Sequence, residues 1–330
     1  MVDCMKKKLL IITFVLTMIA AFNAQSALAI APAVQKAENI SVDEIRPEVL
    51  GKEDSNLSII KRVSLRDKLK RSPEIEIQNF FKKFNKYSEK NNIEKLKEMY
   101  SDSYVNNDGY DKETIFKLNE EAQGAYKNVD YDTQLLSIRA DRFNAVVDAV
   151  ETAKGETVNG FGKIEGTGEI TSELHYTDYL RKEDGKWKII ATDISREKLE
   201  LKYGDARGKF FKVTAPECVP AGSEYEVSLK TESSLKELLI GSISNEQIKY
   251  PQEQAKDVLR AINDGELSRI IKANTLNNNE YATISVAITK ADLEPNSVVI
   301  KMTGAAILMN RVNVLKATNT VKSATNGGKQ

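Results

Sequence analysis

GEITSELHYTDYLRKEDGKWKIIATDI, residues 168–194, reads as two strands joined by a hairpin. An alternating run extends from Gly168 to Arg181, Glu183-Asp184-Gly185-Lys186 has turn chemistry, and Trp187 to Ile194 returns. Successive side chains of a strand point to opposite faces. Ile170, Ser172, Leu174, Tyr176, Asp178 and Leu180 therefore share one face, and Thr171, Glu173, His175, Thr177, Tyr179 and Arg181 the other. The first set is the more apolar and is expected to face a core, leaving Glu173 and His175 outside it unless a bulge reverses the register. Upstream, Thr133 to Arg139 and Phe143 to Thr152 are two further β-type runs, with Lys154-Gly155-Glu156 as the next reversal.

Helices precede these strands. Ser72-Pro73-Glu74 is a helix-start signal, with a capping hydroxyl, Pro at the first helical position and an acid at the positive dipole end. Ile77, Phe80, Phe81, Phe84 and Tyr87 then recur at helical spacing and predict one broad apolar face. A second, shorter helix carries Ile93, Leu96 and either Met99 or Tyr100 inward, and Tyr104 to Gly109 reads as the polar turn that closes it. A third starts near Asp111 with Ile115, Leu118 and Ala122 on one side. Three helices followed by a meander of strands predict an α+β layer, a curved antiparallel sheet wrapped on helices.

Three features carry a family resemblance: Leu96-Lys97-Glu98-Met99-Tyr100-Ser101-Asp102-Ser103-Tyr104-Val105, the Asp108-Gly109 turn, and the hairpin from Arg181 to Ile189. Together they resemble the nuclear transport factor 2-like, or SnoaL-like, superfamily over about residues 73–200. The resemblance implies a cone with a pocket between helices and sheet. Its members include isomerases, dehydratases, hydrolases and non-catalytic accessory domains, so the fold alone assigns no chemistry.

Outside this region the chain divides further. Lys6, Lys7 and Lys8, the apolar run Leu9 to Phe22 and the small residues Ala27-Leu28-Ala29 read as a signal peptide over residues 1–29, cleaved after Ala29. Cys4 precedes the apolar run and so is not placed for lipidation. Residues 30–71 read as a flexible leader in which Ile59, Ile60, Val63 and Leu65 form a short amphipathic piece. The α+β domain is expected over residues 72–200, a linker over 201–208 and a β-sandwich-like, immunoglobulin-like domain over 209–316. That second domain is expected to carry a helical insertion beginning at Pro251, with Ala255, Val258, Leu259 and Ile262 inward and Leu267, Ile270 and Ile271 in a further turn. Residues 317–330 read as a flexible tail.

Candidate chemistry is sparse. Lys plus Arg and Asp plus Glu both number 48, which gives no charge reason to expect nucleic acid as a partner. One histidine, His175, excludes His-paired metal sites, so neither a metal nor a cofactor is expected. Gly155 to Gly160 and Gly204 to Gly208 lack the Lys-Ser or Lys-Thr ending of a phosphate loop. A Cys218 and His175 pairing would have to join two expected domains, although Cys218, alone after signal cleavage, is available to cross-link two chains.

The resemblance supplies one further site. Asp193 alternates with Trp187, Ile189 and Ala191, so it is a candidate acid at the mouth of the cone's pocket, where burial would raise its pKa and suit a general base. Tyr104 and Tyr110 are candidate hydrogen-bond donors beside it, and Tyr100, Tyr176 and Trp187 complete the pocket candidates. The expected function is a non-catalytic binding or assembly module, exported to the periplasm, cell surface or medium. Its partner is a protein or a small apolar ligand, and no membrane span is expected after signal cleavage. The alternative is a small-molecule isomerase, dehydratase or hydrolase, or a ligand carrier, that uses the cone.

Overall fold

The computed structural model describes residues 72–90, 92–232, 234, 237–252, 258–294 and 297–316. The expected signal peptide, leader and tail lie outside them. Helix α1 (Pro73–Glu89) starts where the Ser72 hydroxyl accepts from the Ile75 N–H, and it buries Ile77, Phe80, Phe81 and Phe84. Asn92 caps α2 (Ile93–Met99), which buries Leu96 and Met99. The chain then extends as β1 (Tyr100–Asn106), a strand where the sequence suggested the start of a turn. Asp111 caps α3 (Lys112–Ala125).

Four long strands follow: β2 (Tyr126–Ala140), β3 (Asn144–Thr157), β4 (Glu169–Glu183) and β5 (Lys186–Gly204). Strand β3 runs through the reversal expected at Lys154 to Glu156. Strand β5 runs into the stretch 201–208 expected as a linker, and a 3-10 turn over Asp205–Gly208 follows it directly. The cause is pairing and alternation. Leu199, Leu201 and Tyr203 are buried, and residues Lys198 to Gly204 pair antiparallel with Asn310 to Gly304.

The remaining strands are β6 (Phe211–Thr214), β7 (Cys218–Pro220), β8 (Glu224–Thr231), β9 (Glu237–Gln247), β10 (Arg260–Ala261), β11 (Glu266–Lys272), β12 (Glu280–Glu294) and β13 (Ser297–Leu315). One ten-stranded sheet has the order β10-β9-β12-β13-β5-β4-β3-β2, with β1 parallel to β5 and β7 parallel to β13. A second sheet, β11-β8-β6, is antiparallel. The described residues are thus mostly antiparallel sheet with three helices, in the α+β class.

Strand β13 serves two cores by alternation. Ala306, Leu308 and Val312 pack with Phe211, Val227 and Leu229 of the smaller sheet, whereas Ala305, Ile307 and Met309 pack with Leu199, Leu201 and Tyr203 of β5. A third core lies between the helices and β3 to β5, where Phe81, Phe84 and Phe116 meet Leu174, Tyr176 and Trp187.

The expected helical insertion is corrected over its second half. Leu267, Ile270 and Ile271 belong to β11, which pairs residue for residue with β8. Their spacing fits a helix turn, but only Ile271 is buried, and Asp264 and Gly265, both at positive φ, turn the chain into the sheet. Val258 and Leu259 are exposed and outside any helix, and residues 253–257 lie outside the described set.

Gly204 marks the join of β5 and β13. Its φ is +52°, and a Cβ there would overlap the carbonyl oxygen of Thr303. Gly204→Ala is therefore expected to cost about 2 kcal/mol or more through strain and separation of the two strands, read as a lower urea midpoint. An unchanged midpoint would mean that this junction yields without cost.

Candidate functional site

The path of β5 decides which acid faces the helices. Leu180 pairs with Ile189 but Tyr179 pairs with Ala191, so Ile190 is an extra residue, a bulge that reverses the alternation beyond it. Trp187 and Ile189 point inward before the bulge and Ile194 after it, while Asp193 is exposed. Asp193 accepts from Asn107 Nδ2 at 2.6 Å. The structure thus does not bring Asp193 together with Tyr104 and Tyr110 at a pocket mouth. Tyr104 is in the helix-covered core, and Tyr110 feels the charges of Asp108, Glu197 and Arg311.

The acid that does reach the helix-covered core is Asp178. It stands on the same face of β4 as Leu174, Tyr176 and Leu180, and it is buried. Thr192, directly opposite on β5, donates to Asp178 Oδ1 at 2.6 Å and also hydrogen-bonds Tyr104. Burial pushes the Asp178 carboxyl up to about 7, against the lowering effect of the Thr192 hydroxyl. Glu151 on β3 is also wholly buried, and desolvation holds its carboxyl well above the usual range. One Glu151 oxygen accepts from Thr133 at 3.1 Å, and the other has no partner among the described residues.

Around these carboxyls stand two of the expected pocket residues, Tyr100 and Tyr176. Tyr176 and Tyr100 are held far above the ordinary phenol range, first by burial and then by neighbouring charges that include Glu151 and Asp178. Tyr100 packs edge-on to Tyr104 at 5.0 Å and to Phe116 at 5.4 Å. A third, Trp187, lies at the rim. Its indole N–H donates to Glu76 of α1 at 2.8 Å, and Lys182 donates to the same carboxylate oxygen at 2.5 Å. The Lys182 and Trp187 bonds hold the Glu76 carboxyl below the usual range. Sequence reading placed Asp178 on the inward face without singling it out. An acid in phase with Leu174, Tyr176 and Leu180 was the available signal.

A second buried cluster joins the sequence-early and sequence-late strands. Arg311 on β13 makes a two-pronged contact with Asp108, at 2.9 and 2.5 Å, with both side chains fully buried. Asn279 and Asn106 also donate to Asp108, and Arg311 Nε donates to Asn313. Glu197 on β5 lies 3.6 Å from Arg311 and accepts from Tyr281 at 2.8 Å. Burial raises its carboxyl to about 7 although Arg311 opposes the shift.

The described surface holds a groove of about 910 Å³ between α1, α2 and the β4–β5 hairpin. Phe80, Tyr87, Met99 and Trp187 contribute apolar surface, and seven lysines face four carboxylates around them. On the far face of β4, His175 Nε2 and Glu173 hydrogen-bond at 2.8 Å, while Cys218 is exposed on β7. Among the described residues no group of three or more His, Cys, Asp or Glu is arranged to hold a metal. No described helix is long and apolar enough to cross a membrane.

No protein-family model matches the chain, and no curated protein does. A crystal structure from Novosphingobium aromaticivorans, provisionally described as a scytalone dehydratase, is 15% identical over 42% of this chain and 86% of that one. Its TM-score is 0.30, a likeness too low to bear on chemistry.

Proposed function

We propose that this chain is an exported, rigid binding or assembly module, built from a nuclear transport factor 2-like cone fused to a β-sandwich-like half. The observation that carries this reading is the ten-stranded sheet, which passes without interruption from β4 through β5 to β13 and β12. The fully buried Asp108 and Arg311 pair fastens the same junction. Stiff extended sheets present surfaces at fixed spacing, which suits recognition of a large partner. The helix-covered face is occupied by Phe80, Phe81, Phe84, Phe116, Tyr176 and Trp187, which supports a packed core in preference to a substrate chamber.

The test is native mass spectrometry of the chain purified gently from its own host. A retained protein partner is the expected result. A stoichiometric small molecule held by the wild type and lost in Asp178→Asn would overturn it in favour of a second reading, proton-transfer chemistry in the cone. Asp178 favours that reading, since a carboxyl titrating near 7 beside Tyr104 is suited to general acid or base work.

A further inference from the structure

The groove along α1 has an unequal balance of charge. Each of its four carboxylates, Glu76, Glu94, Glu98 and Asp102, already sits within 4 Å of a lysine. Lys83 and Lys186 are exposed and, among the described residues, have no carboxylate at that range. The groove therefore offers unneutralised positive charge above an apolar floor that includes Trp187 and Met99. Such a surface fits an acidic strand of chain with apolar residues interleaved.

The chain itself contains such a strand. Residues Glu38 to Asp54 carry six carboxylates against two cations, interleaved with Ile40, Val42, Ile45, Val49 and Leu50. This stretch follows the expected cleavage point, and eighteen residues, 55–72, join it to the start of α1. At about 3.3 Å per residue those eighteen reach up to roughly 60 Å. The groove runs beside a helix of 17 residues, about 25 Å long, so the reach is ample. The intervening stretch bears Lys61, Arg62, Arg66, Lys68, Lys70 and Arg71. It has the groove's own sign and is repelled from it, which leaves the more distant acidic part as the complementary one.

We propose that the acidic segment Glu38–Asp54 docks in the groove between α1, α2 and the β4–β5 hairpin of its own chain, covering Lys83, Lys186 and Trp187. This goes beyond the binding-module reading, because it names an occupant of one surface. A partner that uses this surface must displace the segment.

Zero-length carbodiimide cross-linking of the chain from residue 30 onward tests it, with isotope-labelled and unlabelled protein mixed to separate contacts within one chain from those between chains. The expected products join Lys83 or Lys186 to Asp43, Glu44 or Glu48 within one chain. They fall at least five-fold in 1 M salt; in the double variant Lys83→Glu/Lys186→Glu, which lacks those two amines, products that join the segment to the neighbouring groove lysines Lys182 and Lys188 are the ones expected to fall likewise, both substituted sites being exposed and replaceable without touching the core. Unfolding curves of that variant check that the fold is kept, and fluorescence of Trp187, the chain's single tryptophan, gives a second readout in a chain with Asp43→Asn, Glu44→Gln and Glu48→Gln. An unshifted Trp187 spectrum, products that join the segment only to Lys61, Lys68 or Lys70, or products found only between chains would each overturn the proposal.

Discussion

Replacing Arg311 by methionine is expected to remove about 3–5 kcal/mol of stability, a large share of what holds a typical domain folded. The effect arises less from the lost attraction than from what is left behind. Among the described residues, the Asp108 side chain would stay fully buried with only amide donors from Asn106 and Asn279, and Glu197 would keep only Tyr281. Asp108→Asn in the Arg311→Met background removes the stranded charge and is expected to restore part of the loss. Urea unfolding of the four chains gives the coupling directly. Additive effects would show that the pair does not fasten the junction.

The second large effect concerns pH. Burial pushes Asp178 and Glu197 up to about 7 in the folded chain, against ordinary values of 3.8 and 4.5, and raises Glu151 in the same direction. Between those limits the folded chain keeps protons that the unfolded chain has released, so unfolding releases protons and stability falls as pH rises. Each group contributes up to about 1.4 kcal/mol per pH unit, and its share levels off above its folded pKa. The surface carboxylates held low by lysines, such as Glu76, act in the opposite sense but only below about pH 5. Stability is therefore expected to decline from pH 5 to pH 7, and Asp178→Asn to make the decline shallower by about 2 kcal/mol over that interval. A wild type that gains stability across the interval, or an Asp178→Asn chain with the same slope, would contradict the assigned burial.

Much of the helical layer was legible because its signals are local. Ser72 and Pro73 open α1, and the phenylalanine spacing fixes its buried face. The faces of β4 were legible from alternation alone. What failed was non-local. A single inserted residue, Ile190, moves Asp193 to the surface, and nothing between Trp187 and Ile194 in the sequence announces it. The expected linker looked like one because Ser195 to Gly208 is charged, yet Leu199, Leu201 and Tyr203 alternate with those charges and find β13 more than a hundred residues later. Arg311 was hidden in an apolar strand, where a lone charge between Met309 and Val312 was the one cue to a buried ion pair.

Equilibrium urea unfolding of the chain from residue 30 onward, with one probe in each half, tests most directly whether the two halves form a single body. Trp187 reports on the helix-covered face, and an environment-sensitive dye on Cys218, the one cysteine of that chain, reports beside β13. Coincident midpoints and slopes are predicted, because β5 and the Arg311 pair belong to both halves. Loss of the Trp187 signal at a urea concentration where the Cys218 dye still reports native structure would contradict the account.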